Sequence, residues 1–192
     1  MRITRGITQA FRLLPIMLAA ALPTLAWAAS VEAERAEARE QSKAVLARLY
    51  AASPAAQAAI ENAVGYATFS TVGLKLGVAG GGRGKGLVVY RSTGKEVFMR
   101  FVEVQAGLGL GIKKYDLIFV FNSKNALDDF VNKGWEYGGQ ATAAAKAGNK
   151  GKAYAGAVSV SPDIWLYQLT SGGLAAELTL KGSKYFKDKS LN

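Results

Sequence analysis

Along this chain the spacing of apolar residues changes character twice. Residues 13–22 form an unbroken apolar run, and residues 31–62 show helical spacing. From Tyr66 onward, short Val-, Ile-, Phe- and Tyr-rich runs alternate with glycine clusters. Val31–Tyr50 is rich in Ala, Glu, Arg and Lys and free of Gly and Pro, which predicts a helix. Its apolar positions Val45, Leu46, Leu49 and Tyr50 recur at helical spacing. Ser53-Pro54 pairs a capping residue with a proline suited to the first helical position, so a second short helix is expected, closing by Gly65. The short runs from Tyr66 onward, bounded by glycine, predict strands at Tyr66–Ser70, Leu74–Ala79, Gly86–Arg91, Glu96–Gln105, Leu108–Ile112 and Leu117–Phe121. Ser92-Thr93-Gly94-Lys95 reads as a hairpin loop. Asn122 or Ser123 caps a short helix over Asn125–Val131, closed by Gly134. Ile164–Thr170 and Leu174–Lys181 form a hairpin, Gln140–Ala147 reads equally as helix or strand, and a tail with Lys184, Lys187 and Lys189 follows. The expected class is α+β: N-terminal helices, then a mostly antiparallel, glycine-rich β-sheet or partial barrel with one short inserted helix.

Charge assigns the first run a separate task. Arg2, Arg5 and Arg12 flank and precede residues 13–22, Pro23 and Thr24 break the run, and Ala26-Trp27-Ala28 has the small-x-small form of a cleavage site. Residues 1–28 therefore read as a signal peptide and 29–192 as one domain, with a helical part over 30–62 and a β-rich core over 63–192. The expected location is periplasmic, peripheral on a membrane at most. The sequence holds 24 Lys and Arg against 14 Asp and Glu. Without the three leading arginines the basic count is 21, a charge of about +7. A basic exported chain suits anionic phospholipid or another phosphate-bearing or acidic partner, and export argues against nucleic acid.

The residue inventory excludes much chemistry. With neither histidine nor cysteine, the usual Ser-His-Asp and Cys-His systems are excluded, as are disulfides and the common ligands of zinc and copper. Asp128 and Asp129 are adjacent, and helix neighbours point about 100° apart, so they do not converge on one substrate. We expect no enzyme, no cofactor and no metal. Gly80-Gly81-Gly82-Arg83-Gly84-Lys85-Gly86 lacks the first glycine and the Ser or Thr of a phosphate loop, and a β-like segment follows it, so nucleotide fingerprints fail. As a loop it would offer bare amides at Gly82 and Gly84 beside the cations Arg83 and Lys85. The alternative use of these glycines is to shape a turn. Gly107, Gly109 and Gly111 alternate with aliphatic residues and lead into Lys113 and Lys114. That segment resembles a site with an apolar and an anionic half. The candidate lipid- or anion-binding residues are thus Arg83, Lys85, Lys113, Lys114, Gly82 and Gly84.

Several ordered motifs carry a family likeness. Ala63-Val64-Gly65-Tyr66-Ala67-Thr68-Phe69, then Gly80 through Val88, Gly107-Leu108-Gly109-Leu110-Gly111 and Tyr115-Asp116-Leu117-Ile118-Phe119-Val120-Phe121 resemble the SYLF domain. Ala126-Leu127-Asp128-Asp129-Phe130 and Gly172-Gly173-Leu174-Ala175-Ala176 fit the same pattern, so the likeness spans about residues 40 to 185. The resemblance implies lipid binding. Eukaryotic members look like phosphoinositide-binding modules, some of which bind actin, partners that an exported bacterial chain would not meet. The glycine segment with Arg83 and Lys85 matches the family's most invariant stretch. The chain departs from its relatives in having a charge-balanced N-terminal segment and no lipidated cysteine. A non-enzymatic binding module for anionic phospholipid is the leading expectation. The alternative is a structural or protein-interaction module of the cell envelope that docks a partner through the N-terminal helix.

Overall fold

A computed structural model describes residues 22–137, 154–175 and 182–192, with side chains described throughout except at 22–27, 72–79 and 105–113. The elements are α1 (Leu22–Ala52), α2 (Pro54–Glu61), β1 (Gly65–Tyr90), β2 (Glu96–Phe121), α3 (Lys124–Asn132), β3 (Trp135–Tyr137), β4 (Val158–Ser161), β5 (Ile164–Thr170), β6 (Gly173–Leu174) and β7 (Ser183–Lys187). The expected helices are present. Helix α1 begins earlier than its pattern predicts, and α2 has Ser53 in extended conformation at its N-cap with Pro54 next. For α3, Ser123 Oγ accepts a hydrogen bond from the Ala126 N–H at 3.3 Å, and Gly134 follows at φ +75°. The ambiguous segment Gln140–Ala147 and most of the expected strand Leu174–Lys181 lie outside the described residues.

The strands differ from expectation: β3 and β4 were not foreseen, the expected tail with Lys184 and Lys187 is strand β7, and the first two strands are longer than expected. Six separate strands were expected between residues 66 and 121, yet β1 and β2 are two unbroken strands of 26 residues each. They pair antiparallel along their whole length, with one register shift between Gly77 and Ala79. Gly80–Gly86, expected as a loop, is strand. Glycine clusters signal turns because they tolerate many conformations, and extended backbone is one of these.

The ribbon folds back on itself. The Arg91 N–H donates to the Val64 carbonyl at 3.0 Å, bringing the far ends of β1 together. A Cβ on Gly84 would meet the Ser70 carbonyl oxygen at 2.2 Å, and one on Gly86 the Thr68 carbonyl oxygen at 2.5 Å. Glycine is required here by close approach of two backbones. Around this bent ribbon the remaining strands add antiparallel: β7 on residues 99–103 of β2, β5 on 116–121, with β3 beyond β7 and β4 and β6 on β5. The product is a curled antiparallel sheet with helices, an α+β fold.

Alternation gives the sheet two sides. One side buries Phe69, Phe101, Phe119, Phe121, Phe130 and Tyr185 in an aromatic cluster with α3. Its rings meet edge-to-face, tilted or stacked, Phe69 lying edge-to-face 5.7 Å from Phe101 and 5.0 Å from Tyr185. The other side buries Ile118, Val120, Tyr167 and Leu169 beneath Val45 and Leu49 of α1 and Ala56 and Ile60 of α2. Further along α1, Ala38 covers Leu87, Phe98 and Leu191. Polar contacts fix the helix at three levels: Glu34 with Lys85 at 2.7 Å, Thr68 Oγ1 to Ser42 Oγ at 2.8 Å, and Arg48 with Asp116 at 2.5 Å. The apolar face of α1 is thus spent inside its own domain.

Candidate functional site

Strict alternation of side chains assigns each residue of the glycine segment to a side. Gly82, Gly84 and Gly86 face inward. A Cβ on Gly82 would stand 2.4 Å from Oε1 of the buried Glu103, and one on Gly84 would stand 2.3 Å from the Phe101 ring. The inward face of Gly82 and Gly84 is therefore filled by β2 side chains, and both residues belong to the β1–β2 ladder. Arg83 and Lys85 then face outward, toward the α1 side. Arg83 is exposed and has no hydrogen-bond or ion-pair partner among the described residues. Lys85 is exposed and paired with Glu34.

The second pair of cations lies on the C-terminal half of β2. Lys114 is exposed, also without a partner among the described residues, and is registered with Val72. It alternates with Asp116, Ile118 and Val120, which lie beneath α1 and α2, so it stands on the same side of the sheet as Arg83 and Lys85. Lys113 is registered with Gly73, and its side chain lies outside the described set. Three of the four expected cations therefore share one side of the fold, although they sit on different halves of the ribbon.

The residues that sequence reasoning missed lie between those halves and the C-terminus. Across β1, β2 and β7, Arg83 is level with Val102 and Lys184, and Lys85 with Arg100 and Phe186. Val102 is 44% exposed, Val104 69% and Phe186 37%, whereas Glu103 between the valines is 3% exposed. The expected pattern is inverted, with the aliphatics outside and the acid inside. Tyr115 donates a hydrogen bond to Glu103. Burial, reinforced by that bond, pushes the Tyr115 phenol far above its ordinary value. A run of Val-Glu-Val in a strand signals only alternation. Which set faces inward depends on Gly82 leaving room for Glu103, which a linear reading does not supply.

Further out, Arg100 pairs with the buried Asp188, Lys184 with Glu136 at 2.6 Å, and Arg39 with Glu96 at 2.8 Å. Arg35 and Arg39 stack over the Phe98 ring at 5.9 and 5.4 Å, closing the lower part of this face under α1. No group of acidic residues able to hold a metal is found among the described residues. No described helix is long and apolar enough to cross a membrane.

The family model described as Las17-binding protein actin regulator matches residues 102–192. The matched segment opens at Val102 and takes in Lys113, Lys114 and all of β7. Beta cell expansion factor A of Aeromonas veronii is 30% identical over 148 residues, which make up 76% of this chain and 54% of that protein. This chain belongs to the SYLF family. As a SYLF protein it carries a domain of lipid-binding or actin-regulator-like type. The chain spans about half the length of the Aeromonas relative.

Proposed function

We propose that this SYLF protein is a periplasmic, non-enzymatic module that binds anionic phospholipid at a membrane surface. The observation that carries the reading is the pair Arg83 and Lys114: exposed cations on one side of the sheet, each without an anionic partner among the described residues. A cation already paired gains little from a lipid phosphate, whereas an unpaired one near an anionic surface contributes about 1 kcal/mol. Lys85 adds to the same side while sharing its charge with Glu34. The absence of histidine and cysteine from the whole sequence supports a binding role over catalysis. The arginine-led apolar run before Ala26-Trp27-Ala28 supports export.

The test is cosedimentation of the mature chain with vesicles of phosphatidylglycerol and of phosphatidylcholine. The reading expects strong binding to the former that weakens with salt, and little to the latter. Equal binding to both would end it. N-terminal sequencing of the protein recovered from a periplasmic extract tests export, with a start at Ala29 as the expected result.

A further inference from the structure

We propose that the bare outer face of β2 and β7, formed by Val102, Val104 and Phe186 and bordered by Arg83, Arg100 and Lys184, is the surface that lies against an anionic bilayer. The valines would reach below the headgroups while the cations stay level with the phosphates. This inference rests on the lipid-binding reading and assigns it one face and one orientation.

Three observations carry it. First, α1 covers this side of the sheet at Leu87 and Phe98 and reaches Lys85, level with Arg100, through Glu34, whereas among the described residues Val102 and Val104 beyond it remain exposed. Second, the strand inverts its polarity there: Val102 and Val104 are exposed at 44% and 69% while Glu103 is buried between them. One exposed valine needs no explanation. Two successive outward positions on a strand paired on both flanks, with an exposed phenylalanine diagonally beside them on β7, make a contiguous apolar patch. Third, exposed cationic side chains flank Val102 at its own level, Arg83 on β1 without a partner among the described residues and Lys184 on β7 in a surface pair with Glu136, while Arg100 is held by Asp188. Long cationic side chains around apolar ones match the depth profile of an anionic lipid interface. Gly81, level with Val104, adds no side chain to stand in the way.

The natural sequence lacks cysteine, so a single introduced thiol can be labelled uniquely. Val104→Cys and, at the C-cap of α3 across the sheet, Lys133→Cys would each carry an environment-sensitive fluorophore. Both would be mixed with phosphatidylglycerol vesicles, with and without spin-labelled acyl chains. The probe at 104 should shift to the blue and be quenched, and the probe at 133 should do neither. In parallel, a Val102→Ser/Val104→Ser double variant should keep the wild-type melting temperature and partition onto these vesicles about tenfold less well, since each valine loses part of its transfer free energy. Vesicle binding with an aqueous probe at 104 would overturn this surface while leaving lipid binding intact. Equal quenching at 104 and 133 would overturn it too. Self-association abolished by Val104→Asp, without quenching by lipid, would assign the patch to a second copy of the chain and sink the proposal. Absence of any vesicle binding would remove both readings.

Discussion

The carbonyl oxygen of Ser70 lies so close to the α-carbon of Gly84 that a methyl group on residue 84 would stand 2.2 Å from it. The contact joins the two halves of β1, fourteen positions apart in the chain, and sets how tightly the ribbon folds. Gly84→Ala should therefore force the halves apart and destabilise the fold by about 3 kcal/mol, at the upper end of overpacking effects. Arg83→Ala, one position earlier but outward, should leave stability within about 0.5 kcal/mol. Urea unfolding of the two variants makes the comparison.

Charge changes on the α1 side should act on binding and not on folding. Arg83→Ala and Lys114→Ala should each weaken partition onto phosphatidylglycerol vesicles about fivefold, as expected for about 1 kcal/mol per cation. Glu34→Ala frees Lys85 from its ion pair and should strengthen partition by about twofold to fivefold. Cosedimentation at low salt measures all three. A Glu34→Ala variant that binds more weakly would show that Lys85 is not part of the contact.

Asp188 supplies a pH-dependent element of stability. Burial alone would raise its carboxyl pKa, but hydrogen bonds from Ser190 and Arg100 outweigh this and hold it below the ordinary 3.8. A carboxyl lowered in the folded state stabilises the protein above its unfolded value, and that contribution is lost as pH falls through the lowered one. Asp188→Asn should thus cost about 2 kcal/mol at neutral pH. The gap to wild type should narrow as pH falls below the ordinary carboxylate value. Thermal melts of both proteins across the acid range test this.

Helix α1 is predicted to be part of the core. Leu49 is fully buried among Ile118, Val120, Tyr167 and Leu169. Leu49→Ala should cost about 2–5 kcal/mol, whereas Glu37→Ala, on the exposed face, should be nearly neutral. Denaturation midpoints distinguish the two, and a small loss at Leu49 would mean that the helix detaches readily from the sheet.

Local signals in the sequence were sufficient for the helices. Pro54 after Ser53, and Ser123 three residues before the Ala126 N–H it caps, act over a single turn. The aromatic residues of residues 117–121 were legible as strand for the same reason. What was not legible depends on residues far apart. The strand character of Gly80–Gly86 follows from β1 folding onto itself, and the outward turn of Val102 and Val104 follows from Glu103 fitting beneath Gly82. Of the site, Arg83, Lys85 and Lys114 were legible because cations beside glycine runs are visible in the sequence, whereas the pairing of Lys85 with Glu34 on a distant helix was not. Lys184 and Phe186 were not found, because only the pairing of β7 with β2 brings a C-terminal segment beside Val102.

Helix α1 touches both halves of the bent ribbon: Leu87 and Phe98 near one end, and Ile118, Val120 and Thr68 (level with Ile118) near the other. A rod fastened to both halves works as a splint, and they cannot hinge about the bend without breaking one of its attachments. The protein therefore presents a plate of one set curvature, and a soft neighbour must mould itself to that plate. Affinity for small and large vesicles of the same lipid should then differ, in proportion to how well each radius fits.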